Sequence, residues 1–330
     1  MIQFAANGSG VRIILKKYFL ICLSLIPIAS FADTADLVVT AEEIMHATQI
    51  TCSGISDEIA KVANISKANT AVTAVGTVAA GGALVAGIKK SQEEEEIDRL
   101  IEEMCSNGGC TPEGVEAMSN EQFFTVVLQP MAQIAELQEK IDKSKRLGNW
   151  RTGLMAGTIG ANLASAIMSG LNINQSDLIQ HISACNEMVK VASNTELDLK
   201  AAGIGPNDAS VVKKLGSVKT WCSQIDTKDV EKIEKRMKGV MGTSIAGTAI
   251  GVVGVGTSAA ANSDKYMDVT NKVRLSEQEE NKEKALNTTA NVMAGANVVT
   301  GAVETGLNIS LITLTKKLIE QAERCEEVLR

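Results

Sequence analysis

The sequence predicts an all-α fold: two long antiparallel helical hairpins in tandem, elongated and closed by disulfides. Three observations carry this. Cys52 and Cys185 flank two Gly/Ala-rich stretches, 70–88 and 152–171, and the cysteines and the stretches share a midpoint at about residue 119. Cys222 and Cys325 flank two more, 240–262 and 289–306, with a common midpoint at about residue 274. A shared midpoint is what two helices folded about one turn require, because each feature on one arm then faces its counterpart on the other. Aromatic residues make up only 3% of the chain, which suits long paired helices better than a compact catalytic core.

Residues 1–32 read as a cleaved signal peptide. Arg12, Lys16 and Lys17 precede an apolar run that Pro27 interrupts, and Ser30 and Ala32 supply the small residues a signal peptidase reads. An uncleaved anchor is the alternative. Without those three basic residues the net charge of −7 becomes −10, and an acidic chain argues against a nucleic-acid partner. Cys22 leaves with the signal, so six cysteines remain; an even count in an exported chain favours disulfides over thiols or metal. The expected pairs are Cys52–Cys185, Cys222–Cys325 and Cys105–Cys110.

The first hairpin is expected over 33–190. Cys52, Ile55, Ile59 and Val62 form one apolar seam, and Leu178, Ile182, Cys185 and Val189 form the other, at helical spacing. Its tip, about 91–151, is elaborated: an acidic run at Glu93–Glu96, a Thr111–Pro112 helix start, and an amphipathic pattern through Phe124, Val127, Leu128, Met131, Leu137 and Ile141. One or two extra short helices are expected there. A linker over 191–218, marked by Gly203, Gly205 and Pro206, leads to the second hairpin, 219–330. In that hairpin Cys222, Ile225, Ile233, Met237 and Val240 face Leu307, Leu311, Leu314, Leu318, Cys325 and Leu329, the seam of a coiled coil. The polar turn falls at 263–276, and Ser276 with Glu279 is placed to start the return helix as a capping box. At a constant offset of 170 residues Cys52, Thr73 and Gly81 fall on Cys222, Thr243 and Gly251, an internal-repeat pattern whose simplest explanation is duplication.

The Gly/Ala stretches are the puzzle. Each Gly in a solvated helix interior costs about 1 kcal/mol relative to Ala, and 239–256 alone contains Gly239, Gly242, Gly247, Gly251, Gly254 and Gly256. Close helix packing through a glycine zipper would offset that, with Gly76, Gly81, Gly153, Gly157, Gly160, Gly247, Gly251 and Gly295 as the expected contact residues. Two environments allow it. The leading reading is a bundle packed in water: an exported, non-enzymatic structural or protein-interaction module of a bacterial-type envelope or the extracellular space. The alternative is a membrane-inserting or pore-forming protein, because all four stretches are long enough to span a bilayer, and Lys89, Lys90, Lys145, Arg146 and Arg151 cluster on the tip side of the first pair.

Catalysis receives no support. Two histidines, His46 and His181, and no constellation of acid, base and nucleophile leave nothing to assign. Neither a cofactor nor a metal is expected. The Cys105–Cys110 spacing is unlike redox or zinc motifs, the Glu93–Glu96 run lacks the glycine and alternating oxygen ligands of a calcium loop, and Gly82, Gly87 and Lys89 lack the strand and Gly-Lys-Ser/Thr of a phosphate loop. A protein partner or self-association is expected.

Overall fold

The computed structural model describes residues 34–108, 131–172, 176–207 and 209–330. The expected signal peptide and the Cys105–Cys110 bridge fall outside the described residues. Among those described there is no strand, and nine helices follow in order: α1 Thr34–Cys52, α2 Ile55–Gly108, α3 Met131–Asn172, α4 Ser176–Ala201, α5 Ser210–Cys222, α6 Thr227–Ala261, α7 Asp264–Met267, α8 Val269–Val273 and α9 Glu277–Leu329.

Four long helices form the body. α2 packs on α3 and α9, and α6 packs on the same two, so the four close into one up-down-up-down bundle. The expected hairpins, α2 with α3 and α6 with α9, therefore lie side by side and share one interior. At ~1.5 Å per residue, α2 is roughly 80 Å long.

The seams lie where the spacing put them. Ile55, Ile59, Val62, Ile182, Val189, Ile233, Val240, Leu311 and Leu318 are buried in one core at the disulfide end. This head is thickened by α1, α4 and α5, with α1 on α4 and α4 on α5. Two of the three expected bridges are present among the described residues, Cys52–Cys185 and Cys222–Cys325. The sulfurs of Cys52, Cys185 and Cys325 lie within 4.8 Å of one another, so the two cystines stack in a single layer and their sulfurs have no ligand role. Disulfides closing loops of 133 and 103 residues imply an oxidising, exported setting for the head.

Each half breaks its helix just after its first cysteine. Gly54 takes φ 81° between α1 and α2, the left-handed region that favours glycine. Asp226 starts α6 as an N-cap, its side chain accepting from the Lys228 backbone N–H at 2.9 Å. The stretch expected as a linker, 191–218, is largely helical: α4 continues to Ala201 and α5 begins at Ser210. Gly203, at φ 82°, marks the turn between them.

The long arms reach further into the tip than expected. α2 runs unbroken to Gly108 and α3 already starts at Met131. Ile97, Leu100 and Met104 carry the apolar rhythm of α2 onward with no proline to stop it; the expected Thr111–Pro112 helix start lies outside the described residues. Leu137 and Ile141 of the expected amphipathic pattern are buried at the start of α3; Phe124, Val127 and Leu128 lie outside the described residues. The turn at 263–276 holds α7 and α8, whose Tyr266, Met267, Val269 and Val273 complete the tip core. Ser276 is the N-cap of α9; its hydroxyl makes no capping bond, but the Glu279 carboxylate accepts from the Ser276 backbone, half of the expected capping box, and also pairs with Lys265.

Candidate functional site

Between head and tip the bundle keeps its geometry and changes its chemistry. Buried positions on α6 run Ile233, Met237, Val240, Ser244, Gly247, Gly251, Gly254, Ser258 and Ala261. On α9 they run Ala290, Ala294, Asn297, Gly301, Glu304, Asn308, Leu311, Thr315 and Leu318. Both alternate spacings of three and four, the heptad of a coiled coil. In this waist, however, the inward positions carry Ser, Thr, Asn, Gly and one Glu.

The outward positions are the reverse. Val75 and Val78 on α2, Leu163 and Ile167 on α3, Val252 and Val253 on α6, and Val299 and Val303 on α9 are all exposed, Val78 at 76% and Val299 at 63%. No charged residue occurs between Lys67 and Lys89, between Arg151 and Asp177, or between Lys238 and Asp264, and between Lys284 and Lys316 the only one is Glu304. Three helical stretches, Leu37–Met104, Ser210–Ala261 and Glu277–Leu329, are long and apolar enough to cross a membrane, and only 33%, 28% and 28% of their most apolar windows is buried inside the molecule.

The polar axis is layered. Glu304, 1% exposed, receives one hydroxyl from each of the other three long helices at its Oε1: Thr73 Oγ1 at 3.1 Å, Ser244 Oγ at 2.7 Å, and Ser165 Oγ in a short contact. On the head side Asn69 donates to Ser169 Oγ at 2.8 Å, and Asn308 is fully buried with neither amide atom bonded. On the tip side come Asn162, with its Nδ2 unbonded, and Asn297, with neither amide atom bonded. An apolar layer of Ala83, Met155 and Ala294 follows, with the Met155 side chain lying against Gly254.

Beyond that layer a second network joins all four helices. Arg151, fully buried, donates from Nε to Ser258 Oγ and from Nη2 to Asn287 Oδ1, both at 2.8 Å, and from Nη1 to Asn291 Oδ1 at 3.2 Å. Asn287 in turn donates to both Glu94 oxygens, at 2.9 and 2.8 Å, and Glu94 pairs with buried Lys90. Further toward the tip Lys272 and Glu283 form a buried pair at 2.5 Å. Burial raises the Glu283 carboxyl, and its attraction to Lys272 only partly opposes this. For Lys272 burial acts downward, but the Glu283 and Asp98 carboxylates together leave the ammonium raised. The acidic run is engaged as well: Glu93 and Glu96 pair with Lys140, and Glu93 with Lys143, bonding α2 to α3.

The expected packing glycines divide into two groups. A Cβ at Gly76 would meet Ala161 Cβ at 2.9 Å, one at Gly247 would meet Asn162 Nδ2 at 2.5 Å, and one at Gly251 would meet Ile159 at 2.6 Å. Those three are contact residues. At Gly81, Gly153, Gly157, Gly160 and Gly295 a Cβ would meet nothing within 4 Å. These five were expected between helices and instead lie on open faces, because the heptad turns Ala80, Ala83, Met155, Thr158, Asn162 and Ala294 inward in their place. Sequence reasoning also missed Gly87 and Gly301, where a Cβ would overlap Asn291 Oδ1 and Thr77 Oγ1. It missed Glu304 and its hydroxyls too. The signal that could have found them is the heptad itself, read through Ser, Thr and Asn as well as Leu and Ile.

No protein-family model matches the chain, and no curated protein or solved structure is significantly similar to it.

Proposed function

We propose that the protein is an exported, non-enzymatic envelope module held in a bilayer by the waist of its four-helix bundle. The disulfide-closed head stands on the oxidising side, where it is available to a protein partner. The carrying observation is the inversion at the waist, with apolar side chains outward on all four helices around a polar axis. In water, exposed Val, Leu and Ile on every face would form an apolar surface of the kind that marks an interface. In hydrocarbon the same surface matches its surroundings, and the buried Asn, Ser, Thr and Glu hydrogen-bond between helices, as polar residues in membrane bundles do.

Three further features support the reading. Three of the stretches are uncharged for more than twenty residues, and the fourth, between Lys284 and Lys316, carries only the buried Glu304; each is long enough for a core about 30 Å thick. Trp150, 68% exposed at the tip-side margin close to Arg146, suits the interfacial band where aromatic and basic residues concentrate. Four crossings put all four bridged cysteines on one side of the membrane and the tip ends of the four long helices on the other. This favours the membrane alternative over a bundle packed wholly in water.

Alkaline carbonate extraction of membranes from cells making the full chain tests it. Retention in the pellet until detergent is added is the expected result. Release into the supernatant would return the protein to the class of water-packed interaction modules.

A further inference from the structure

We propose that the two cystines of the head are an exchange pair, with a second complete pairing open to them: Cys52–Cys325 together with Cys185–Cys222. A thiol moves the head between the two pairings. The observed one closes each half of the chain on itself, and the second ties the halves to each other, so the head is a redox-sensitive joint between them. This concerns the head alone and does not depend on where the waist lies.

The packing carries the proposal. The four cysteines stand on α1, α4, α5 and α9, and these helices pack in a ring: α1 on α4, α4 on α5, α5 on α9, and α9 back on α1. The bridges Cys52–Cys185 and Cys222–Cys325 occupy two opposite sides of that ring. The second pairing occupies the other two, again between helices that already touch. The sulfurs are close enough to trade partners, since Cys325 Sγ lies within 4.8 Å of both Cys52 Sγ and Cys185 Sγ. There is also slack where the exchange needs it. Cys52 and Cys222 are the last residues of α1 and α5, helix ends fray, and a cysteine released from its bridge regains its staggered rotamers.

The exchange balances with a thiol as its only co-reactant, a small thiol or a protein dithiol. Its thiolate attacks Cys222 Sγ; the Cys222–Cys325 bond breaks, the electron pair leaves on Cys325, and Cys222 is held as a mixed disulfide. The Cys325 thiolate attacks Cys52 Sγ, forming Cys52–Cys325 and expelling Cys185 as thiolate. Cys185 then attacks Cys222, closing Cys185–Cys222 and releasing the incoming thiol. Three exchanges leave the oxidation state unchanged, so no oxidant is consumed.

The test is Cys222→Ser in the full-length protein purified in detergent, which leaves Cys325 as a permanent thiol beside Cys52–Cys185. After incubation at mildly alkaline pH, samples are quenched in acid, their thiols alkylated, and the bridges mapped on non-reduced peptides. The expected result is a loss of label at Cys325 matched by a gain at Cys185, with a Cys52–Cys325 peptide appearing over minutes to hours. The rate should rise with pH as the thiolate fraction does. Label confined to Cys325 at every time overturns the proposal. A Cys185–Cys325 bridge instead overturns the second pairing, and bridges from Cys325 to Cys105 or Cys110 would mean scrambling through an unfolded chain and overturn it too. Should Cys222→Ser fail to fold, the wild type is incubated with reduced glutathione and mapped in the same way. Cys52–Cys325 with Cys185–Cys222 is then the expected product, and unchanged bridges overturn the proposal.

Discussion

The head and the waist are one continuous bundle built on one heptad, with opposite chemistry at its inward and outward positions. In the head, Ile59, Ile182, Ile233 and Leu318 fill the interior around the two cystines, while Lys and Glu occupy the outside, as in the Lys238–Glu234 pair. In the waist, Thr73, Ser165, Ser244 and Glu304 fill the interior and valines occupy the outside. Helical geometry fixes which positions point inward; the surrounding medium decides what those positions should be. Burying apolar side chains stabilises the head because water surrounds it. The waist gains nothing by that route if lipid surrounds it. Its cohesion then rests on small-residue contacts such as Gly301 against Thr77 and on interhelical hydrogen bonds such as the Arg151 fan.

The largest expected effect breaks the comparison at its outer surface. Val299→Lys places a charge at an outward position of the waist. In a bilayer centre a lysine costs about 2.5–3.5 kcal/mol on the insertion scale, so carbonate-resistant protein should fall severalfold. A lysine at head level, such as Glu234→Lys, should leave retention unchanged. If Val299→Lys is as well retained and as stable as the wild type, that face is in water and the inversion has another cause.

A sharper cut separates inward from outward glycine within the waist. Gly301→Ala puts its Cβ 2.3 Å from Thr77 Oγ1 and 3.2 Å from Thr77 Cβ. Thr77 is β-branched and stiff at χ1, so it has little room to withdraw, and the variant should lose about 1–3 kcal/mol. Gly157→Ala meets nothing within 4 Å and should gain about 0.5–1 kcal/mol of helix propensity. Denaturation in detergent measures both. Equal losses at the two positions would mean that the open face of α3 is covered by something in the native protein.

Much of the head was legible in the sequence because its code is the familiar one. Cys52, Ile55, Ile59 and Val62 announce both a helical period and an inward face, and the shared midpoints singled out two pairings from those that six cysteines allow. The waist was legible only as small, apolar and uncharged. Its face assignment was not, because the inward set (Thr73, Ser165, Ser244, Asn297) looks like an outward set when water is assumed outside. The same assumption misplaced Gly153 and Gly157: their spacing of four marks a helix face, and nothing in the spacing says which face. Glu304 was hidden for a related reason, as one acid in a chain of 39 acidic residues is distinguished only by the three hydroxyls that other helices bring to it.

The smallest expected effect lies in the head, where water sets the rules, and it calibrates the rest. Asp229 sits in the first turn of α6, its carboxylate 2.6 Å from Lys232 and 3.6 Å from Lys317. The Lys232 hydrogen bond, with the charges of Lys232 and Lys317, holds its pKa below the usual 3.8 against the opposing effect of burial. A carboxyl lowered on folding contributes stability that is fully present above its unfolded pKa and is lost as pH falls through the folded value. Asp229→Asn should therefore be less stable than the wild type at neutral pH, and the gap should hold down to about pH 4 and close below it. Both lysines are more than half exposed, so solvent screens the pair and the gap should be under about 1 kcal/mol. The same substitution tested at high salt should shrink the gap further, as a screened surface pair must. A gap that ignores both pH and salt would mean that Asp229 acts by shape at the helix start, and the water-facing character of the head would then have to be argued from other residues.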